Sequence, residues 1–387
     1  MGNKSKKFST KCVHEGEIKD TMYQGIVSPL FMSTTYPWFG GDDPEKKPYP
    51  RYFNTPNQEF LSKKIASLEN GEKALIFTSG MAAISTSIMA NVKTGDHIVV
   101  QNDIYGGTRN FVLTEFDKFG IEYSFTDGLD PLNFSDQIKD NTVGIYLETP
   151  SNPLLKIVDL KSVSSIAKDN GLWTMIDNTF SSPVNQNPID HGIDIVLHSA
   201  TKYLGGHSDI SAGAVISTES RIEQILNSAK NFGGNLSDYT VWLLERSIKT
   251  LHIRVKEQTN NAKTLAKMLD ENTNISKVYY PGLESHPSHE IAKSQMNDFG
   301  GMMSFDLNNN VDVYDFLKSL NLVKPGMSLA GVESTVNFPM KTSHGLMTQK
   351  ERDIQGIGDK LIRLSVGIES YEDIYEDLDQ AIKSSIK

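Results

Sequence analysis

The sequence predicts an α/β protein, with a large, mostly parallel, doubly wound sheet followed by a smaller α+β region. Two observations predict this fold class. Through residue 216, short runs of buried, branched apolar residues alternate with segments whose apolar residues recur at helical spacing, and the loops between them are short. After residue 230, long helical segments come first and a mixture of strands and helices follows, which is typical of a second, smaller unit.

Each predicted element of the large sheet is a short run bounded by turn residues. Strands are predicted at 74–77, 97–100, 121–125, 143–147, 173–176 and 194–198. Helices are predicted between them at 57–69, 111–119 and 159–171, and Asp159 is the expected N-cap of the last one. The helix-rich stretch 240–270 is expected to link the two units, and the second unit to hold strands at 301–307 and 361–366 and helices at 311–320 and 371–382.

The 387 residues suffice for two or three domains. We expect an N-terminal arm at 1–56, a large domain at 57–250 and a C-terminal domain at 251–387. The arm carries many prolines and aromatic residues, so it is too long for an ordinary loop and too aromatic for a disordered tail. A segment that packs on a neighbouring subunit explains both properties.

Composition excludes several classes of protein. The formal net charge of −10 provides no basic excess for a nucleic-acid partner. Cys12 is the single cysteine, so an internal disulfide and a cysteine-based zinc site are both excluded. No stretch reaches the ~20 apolar residues that a membrane span requires. The first residues lack the apolar core of a signal peptide, and we therefore expect a cytoplasmic protein.

The most informative stretch is residues 194–209. A buried strand ends at His198, Ser199 and Thr201 follow, and Lys202 lies just before a pair of glycines. Ligands of open α/β sheets bind at this edge. A partly desolvated lysine loses its proton easily and forms a Schiff base with an aldehyde, while the flanking hydroxyls suit a phosphate. The pattern therefore suggests pyridoxal 5′-phosphate (PLP), although a solvated loop lysine is the better explanation of this segment taken alone.

Polar residues recur at the ends of the other predicted strands, and this convergence on one crevice is the strongest argument from the residues themselves. They are Ser79, Tyr105, Glu148, Asn152 and Asp177, besides Lys202. The strand–turn–helix segment around Gly80 and Met81 is typical of an anion cradle, although plain turns of this kind are common in α/β proteins. Tyr105 could stack on a planar cofactor, and Arg51, close to Tyr49, could bind a phosphate or simply face solvent.

Seven motifs spread from about residue 20 to the C-terminus resemble those of the Cys/Met-metabolism PLP enzymes, the trans-sulfuration family. They are GIVSPLFMSTTY, FTSGMAAIS, NDIYGGT, YLETPSNP, MIDNTFSSP, DIVLHSATKYLGGHSD and LIRLSVGIE. The resemblance implies PLP fold type I, the architecture of aspartate aminotransferase. It also implies a group that includes cystathionine γ-lyase, cystathionine γ-synthase and methionine γ-lyase.

The resemblance also implies roles for the residues that hold the cofactor. Lys202 corresponds to the lysine that is bound covalently to PLP and later shuttles protons, and Asp177 to the acid paired with the pyridinium nitrogen. Tyr105 corresponds to the tyrosine that stacks on the ring. The implied phosphate ligands are Gly80, Met81, Ser199 and Thr201 of one subunit and Tyr49 and Arg51 of its neighbour. Dimers of this kind pair into a homotetramer in the family.

For the substrate, the resemblance implies that Arg363 binds the α-carboxylate, with help from Asn152 and Ser328. The sequence departs from the family at positions that bear on specificity. Tyr52 stands where enzymes acting on cystathionine often have an arginine, Arg109 and Asn110 are exchanged, and Met327 stands where several have glutamate. An apolar residue at 327 favours a methionine γ-lyase, whereas Gly107 stands where that enzyme usually has cysteine.

The expected function is a PLP-dependent carbon–sulfur lyase that converts sulfur amino acids (cystathionine, methionine, homocysteine or cysteine) into a 2-oxo acid, ammonia and a thiol. A γ-replacement synthase, an aminotransferase and a non-catalytic PLP-fold binding protein are the alternatives. No metal site is expected. The spacing of His286, His289 and Glu290 could suggest one, but the stretch is interpreted as structural.

Overall fold

The computed structural model of the protein describes residues 6–40, 47–345 and 347–387. Residues 1–5 and 41–46, which belong to the predicted N-terminal arm, lie outside the described residues. The division of the chain at 56 and at 250 stays a prediction.

The large sheet has seven strands in the order β1-β7-β6-β5-β4-β2-β3. The strands are β1 (Lys73–Phe77), β2 (His97–Gln101), β3 (Glu122–Thr126), β4 (Thr142–Glu148), β5 (Trp173–Asp177), β6 (Ile195–His198) and β7 (Gly213–Ser217). Strands β2 to β6 pair in parallel, and β7 alone runs antiparallel to both of its neighbours, β1 and β6. The predicted mostly parallel sheet is therefore confirmed.

The helices of the large sheet and of the segments around it cover both of its faces. They are α1 (Phe8–His14), α2 (Pro56–Leu68), α3 (Gly80–Ala90), α4 (Gly106–Phe119), α5 (Leu132–Ser135), α6 (Leu160–Asp169), α7 (Ser182–Asn185), α8 (Glu219–Phe232) and α9 (Asp238–Ile248). Short 3₁₀ helices lie at Pro50–Tyr52 and Pro188–His191. One face of the sheet packs against α2, α6 and α9, and the other packs against α3, α4 and α8. Strands covered on both sides are continuous apolar runs, which is why the sequence revealed them.

Helices α4 and α1 differ from the prediction in ways that bear on the site and the arm. Helix α4 begins at Gly106, five residues before the predicted start at 111. Helix α1 lies in the arm, where no helix was predicted, and its Cys12 is buried against α2. Seven residues with one buried side chain leave no periodic pattern to detect. Asp159 caps α6 as predicted, since its side chain accepts a hydrogen bond from the backbone N–H of Ser162.

The second sheet is smaller and mostly antiparallel, with five strands in the order β10-β11-β12-β9-β8. The strands are β8 (Ile275–Tyr279), β9 (Met302–Leu307), β10 (Lys324–Pro325), β11 (Thr335–Asn337) and β12 (Leu361–Ser365). The remaining helices are α10 (Leu251–Asp270), α11 (His289–Gln295), α12 (Val313–Ser319), α13 (Gln349–Gln355) and α14 (Tyr371–Ser384), with a 3₁₀ helix at Pro339–Lys341.

Helix α10 connects the two sheets, as the sequence predicted. Its 20 residues give it a length of about 30 Å. Leu251 and Val255 near its start pack into the core of the large sheet, while Leu265 and Leu269 near its end pack into the core of the second sheet. The two sheets are thereby held on either side of a crevice.

Among the described residues, no helix combines the length and the hydropathy that a membrane span requires. The same residues contain no group of three or more His, Cys, Asp or Glu side chains arranged to hold a metal ion. The stretch with His286 and His289 lies at the start of α11, where His289 Nδ1 is 2.8 Å from the carbonyl oxygen of Pro281.

Candidate active site

A cavity of about 270 Å³ lies at the carboxyl ends of the parallel strands, with the second sheet as its far wall. It brings together most of the residues that the sequence placed in one crevice. Those that line it are Ser79, Gly80, Met81, Tyr105, Glu148, Asn152, Asp177, Ser199, Thr201, Lys202 and Arg363. The predicted convergence of strand ends is therefore a property of the folded chain.

Lys202 lies in the turn that follows β6, half-buried at the floor of the cavity. Its backbone N–H donates to the carbonyl of Ser199 at 3.0 Å, which closes the turn. Its Nζ donates to Ser328 Oγ at 2.9 Å, so Ser328 reaches the site from the second sheet's side. Burial and the nearby charge of Arg363 lower the pKa of Lys202, and Asp177 opposes them. A larger share of neutral amine is the result, which suits a nucleophile and a proton carrier.

Asp177 ends β5 and is buried below the cavity. Its Oδ1 accepts a hydrogen bond from the backbone N–H of Thr179 at 3.0 Å. Burial raises the pKa of Asp177, while the hydrogen bonds from Thr179 and the charges of His198 and Lys202 lower it. Thr179 also accepts a hydrogen bond through Oγ1 from the backbone N–H of Ser199 at 2.8 Å. Thr179 was not among the predicted site residues, although a hydroxyl residue two positions after a strand-end acid is the signal that points to it.

The turn between β1 and α3 forms a small polar cradle. Ser79 caps α3, accepting a hydrogen bond from the N–H of Ala82 at 3.1 Å. A Cβ atom at Gly80 would lie 2.8 Å from Cβ of Ser199, so only glycine lets the two loops approach this closely. Thr201 Oγ1 accepts from the backbone N–H of Ala212 at 3.0 Å and donates to its carbonyl at 3.1 Å. The Thr201 hydroxyl thus also fixes the loop that carries Lys202.

Arg363 on β12 forms the far wall and is almost completely buried, 3% exposed. Its Nη1 donates to Asn152 Oδ1 at 2.8 Å, whereas its Nε has no hydrogen-bond partner. Burial lowers the pKa of Arg363 to about 10. A buried guanidinium with an unpartnered N–H facing a cavity is a site for a planar anion such as a carboxylate.

Tyr49 and Arg51 do not reach the cavity of their own chain. Arg51 Nη1 donates to the carbonyl of Lys230 at 2.8 Å, and its guanidinium lies over the rings of Tyr49 and Tyr52, with 5.6 and 5.2 Å to the centroids. Tyr49 is 44% exposed. The role of these two residues in a neighbouring subunit's site stays a prediction.

A second cavity of about 360 Å³ adjoins the first and shares Tyr105, Met327 and Ser343 with it. Arg109 lines it. This guanidinium lies 4.4 Å above the ring of Phe125, and its Nη2 forms a 3.0 Å ion pair with Glu351 on α13. Ser343 belongs to a loop 238 positions from Tyr105 in sequence (343 − 105) and has no local signal that could have revealed it.

The residues of the first cavity fit PLP. The amine of Lys202 can bind an aldehyde, the buried carboxyl group of Asp177 can pair with a ring nitrogen, and the cradle around Gly80 and Ser199 can hold a phosphate. The unpartnered Nε of Arg363 leaves an anion site for the substrate's carboxylate in the same cavity.

Comparisons with known proteins agree with this site. The family model described as "Cys/Met metabolism PLP-dependent enzyme" matches residues 9–383. A cystathionine beta-lyase of Lactococcus lactis subsp. cremoris is 42% identical over 379 residues, which cover 97% of this chain and 99% of the relative. A cystathionine gamma-lyase of Bacillus subtilis is 40% identical over 379 residues, covering 98% of this chain and 100% of that one.

A solved structure shares the fold over the whole length. It is that of cystathionine gamma synthase from Xanthomonas oryzae pv. oryzae in complex with cystathionine. Its TM-score is 0.95 at 36% identity, with 99% of each chain covered. The chain belongs to the Cys/Met metabolism PLP-dependent enzymes: it has PLP fold type I, its cofactor is pyridoxal 5′-phosphate, and it is an enzyme of the trans-sulfuration family, whose members include lyases and synthases of sulfur amino acids.

Proposed function

We propose that this enzyme eliminates the β- or γ-sulfur substituent of an amino acid, with cystathionine, methionine, homocysteine and cysteine as the candidate substrates. The products are a thiol, a 2-oxo acid and ammonia. One observation carries the proposal: a single cavity contains an amine of lowered pKa, a buried carboxyl group and a buried guanidinium whose Nε has no hydrogen-bond partner. The similarity to a cystathionine β-lyase and a cystathionine γ-lyase supports it.

The residues of the chain divide the work between holding the substrate and moving protons. Bound PLP supplies an electron sink for the bond electrons at the substrate's Cα. Arg363 and Asn152 hold the α-carboxylate, and this fixes which bond at Cα faces Lys202. The Lys202 amine removes the Cα proton and, when the sulfur is a γ-substituent, a Cβ proton as well. It returns a proton to the departing sulfur, which leaves as a thiol. Water then releases the remaining carbon skeleton as 2-oxo acid and ammonia.

The surroundings of the cofactor support the roles that the family resemblance implies. Asp177 is proposed to keep a ring nitrogen protonated, and Tyr105 to lie against the ring. Gly80, Met81, Ser199 and Thr201 are the proposed phosphate ligands from this subunit. Tyr49 and Arg51 are proposed to complete the phosphate site of a neighbouring subunit, which requires at least a dimer, and we propose a homotetramer of two such dimers. A cytoplasmic location stays a prediction.

A second candidate is a γ-replacement synthase, which joins an incoming thiol to the same bound substrate. The structural similarity to a cystathionine γ-synthase and the adjoining cavity of about 360 Å³ favour it. The two reactions separate in one assay, because a lyase forms 2-oxo acid and ammonia without an acceptor thiol, whereas a synthase requires the thiol to form its main product.

The test of the proposed function is a parallel assay of 2-oxobutyrate, pyruvate and sulfide from the four candidate amino acids, with and without an acceptor thiol. We expect 2-oxo acid from at least one of them in the absence of the thiol, and none from the Lys202→Ala variant. Formation of a thioether only when thiol is added would replace the lyase assignment by the synthase.

A further inference from the structure

Glu148 is a buried acid at the end of β4, only 4% exposed, and it lines the cavity without a role in the chemistry above. In the sheet it lies directly beside Asp177 of β5. Its backbone N–H donates to Gln101 Oε1 at 2.9 Å, which ties the end of β4 to β2. The side chain therefore emerges at the centre of the crevice floor, between two neighbouring strand ends.

The two carboxylate oxygens of Glu148 bind two different loops. Oε2 accepts a hydrogen bond from the backbone N–H of Tyr105 at 2.7 Å, in the loop after β2. Oε1 accepts one from the backbone N–H of Asn152 at 3.2 Å, in the loop after β4. The Asn152 N–H is buried and the Tyr105 N–H is partly buried, and such groups cost free energy when they lack an acceptor.

The same contacts continue to the far wall of the cavity. Asn152 Oδ1 accepts the hydrogen bond from Arg363 Nη1 at 2.8 Å. A chain of bonds thus runs from Tyr105 through Glu148 and Asn152 to Arg363. Its ends are the residue proposed to stack on the cofactor ring and the residue proposed to bind the substrate's carboxylate.

Charge supports the same arrangement. Burial and Asp177 raise the pKa of Glu148 well above its usual value, while the N–H groups of Tyr105 and Asn152 lower it. Arg363 is the cation on the opposite wall, and Glu148 is the first charge that opposes the lowering of its pKa. Each carboxyl oxygen has more than one lone pair, so the two hydrogen bonds from the loops can persist whether or not Glu148 carries a proton.

We propose that Glu148 is a positioning residue, which holds Tyr105 and the Asn152–Arg363 pair in a fixed arrangement. The cofactor ring and the substrate's carboxylate are thereby kept at a set separation. This inference rests on the proposed roles of Tyr105 and Arg363. Glu148 itself transfers no proton and touches the reacting atoms only through these partners.

The test uses Glu148→Gln, which preserves the size of the side chain but turns one acceptor into a donor that opposes an N–H group. The probe is butyrate, a carboxylate without an amino group, titrated calorimetrically into the PLP-loaded enzyme. We expect butyrate to bind about tenfold more weakly, because one buried N–H loses its acceptor. The dissociation constant of PLP from the apoenzyme, measured by equilibrium dialysis, should also rise.

The matched control is Asp377→Asn. Asp377 is also buried, at 6% exposure, and accepts from the backbone N–H groups of Asn321, Leu322 and Val323, far from the cavity. Its loss should lower the melting temperature and leave butyrate and PLP affinity unchanged. If Glu148→Gln behaves like this control, Glu148 has a structural role alone and the inference fails.

Two further variants make the outcome decisive. Asn152→Ala should weaken butyrate binding to a similar extent, and adding Glu148→Gln to it should cause little further loss, because both changes break one chain of contacts. If the loss of butyrate affinity in the double variant equals the product of the two single losses, the inference is overturned. Glu148→Asp, which retains a carboxylate on a shorter side chain, should give an intermediate affinity and covers the case in which Glu148→Gln does not fold.

The failure of this inference is separable from the failure of the proposed function. Butyrate cannot turn over, so its binding is independent of whether the enzyme eliminates or replaces. If Arg363→Ala leaves butyrate binding unchanged, the proposed carboxylate site is wrong. If Arg363→Ala abolishes binding and Glu148→Gln does not affect it, only the inference about Glu148 is wrong.

Discussion

The strand ends of the large sheet and the N-terminal arm hold the two groups of predicted cofactor ligands in very different surroundings. At the strand ends, Asp177 and Lys202 are held by hydrogen bonds within one chain. In the arm, Tyr49 is 44% exposed, and Ile26 and Phe39 are 94% and 96% exposed. Several large apolar side chains of one segment are rarely left this exposed to solvent. The comparison shows that one chain builds the floor and wall of the site. That the arm acts on a neighbouring subunit stays a prediction.

The largest expected effect comes from removing the amine at the floor. Lys202→Ala should abolish turnover, because no other amine lines the described cavity to form the cofactor link and move the proton at Cα. Steady-state assays of 2-oxo acid formation measure this, with circular dichroism as the control for the fold. Full activity in a well-folded variant would contradict the mechanism.

The second largest effect should come from the far wall. Arg363→Ala should raise KM strongly and lower kcat/KM, because a buried charge that pairs with the substrate's carboxylate is removed. The fall in kcat/KM should correspond to a loss of ~2–5 kcal/mol in transition-state stabilisation. An unchanged KM would show that the carboxylate binds elsewhere. Ser328→Ala, which removes a 2.9 Å contact to Lys202 and leaves the guanidinium in place, is the matched variant for a smaller loss.

The arm is tested by mixing two inactive variants. Arg51→Ala and Lys202→Ala should each have low activity alone. After the two are unfolded and refolded together, a dimer of one copy of each contains one intact site if Arg51 serves its neighbour, so activity should return to about a quarter of the wild-type value. No recovery, with mixed dimers shown by mass spectrometry, would place Arg51 in its own chain's site.

The smallest expected effect concerns the second cavity. Glu351→Ala should free the Arg109 guanidinium from its 3.0 Å ion pair and raise kcat/KM a few-fold for cystathionine, which has a second carboxylate, relative to methionine. Glu115→Ala, which breaks an exposed ion pair with Lys118 on the same helix as Arg109, is the matched control. An equal change for both substrates would show that Arg109 does not discriminate between them.

The buried strands of the large sheet were the elements that the sequence predicted best. Runs such as 173–176 are mostly apolar because both faces of the sheet are covered, and the observed β5, Trp173–Asp177, differs by one residue. Because the strands are parallel, the side chains that follow them had to meet at one edge, and Asp177, Asn152 and Lys202 do.

The rest depended on contacts between distant segments. Helix α4 was predicted too short because Gly106 and Gly107 resemble a loop, yet Gly106 is needed where a Cβ would lie 2.6 Å from the carbonyl oxygen of Ser343. Ser343 carries no periodic or local signal either. Such contacts exist only once the second sheet is placed against the first.

The central claim is that the amine of Lys202 is the covalent anchor of the cofactor. Reduction of the PLP-loaded enzyme with borohydride makes this link permanent, and digestion followed by mass spectrometry locates the label. The account predicts a single labelled peptide modified at Lys202. An unlabelled protein, or a label on another lysine, would contradict it.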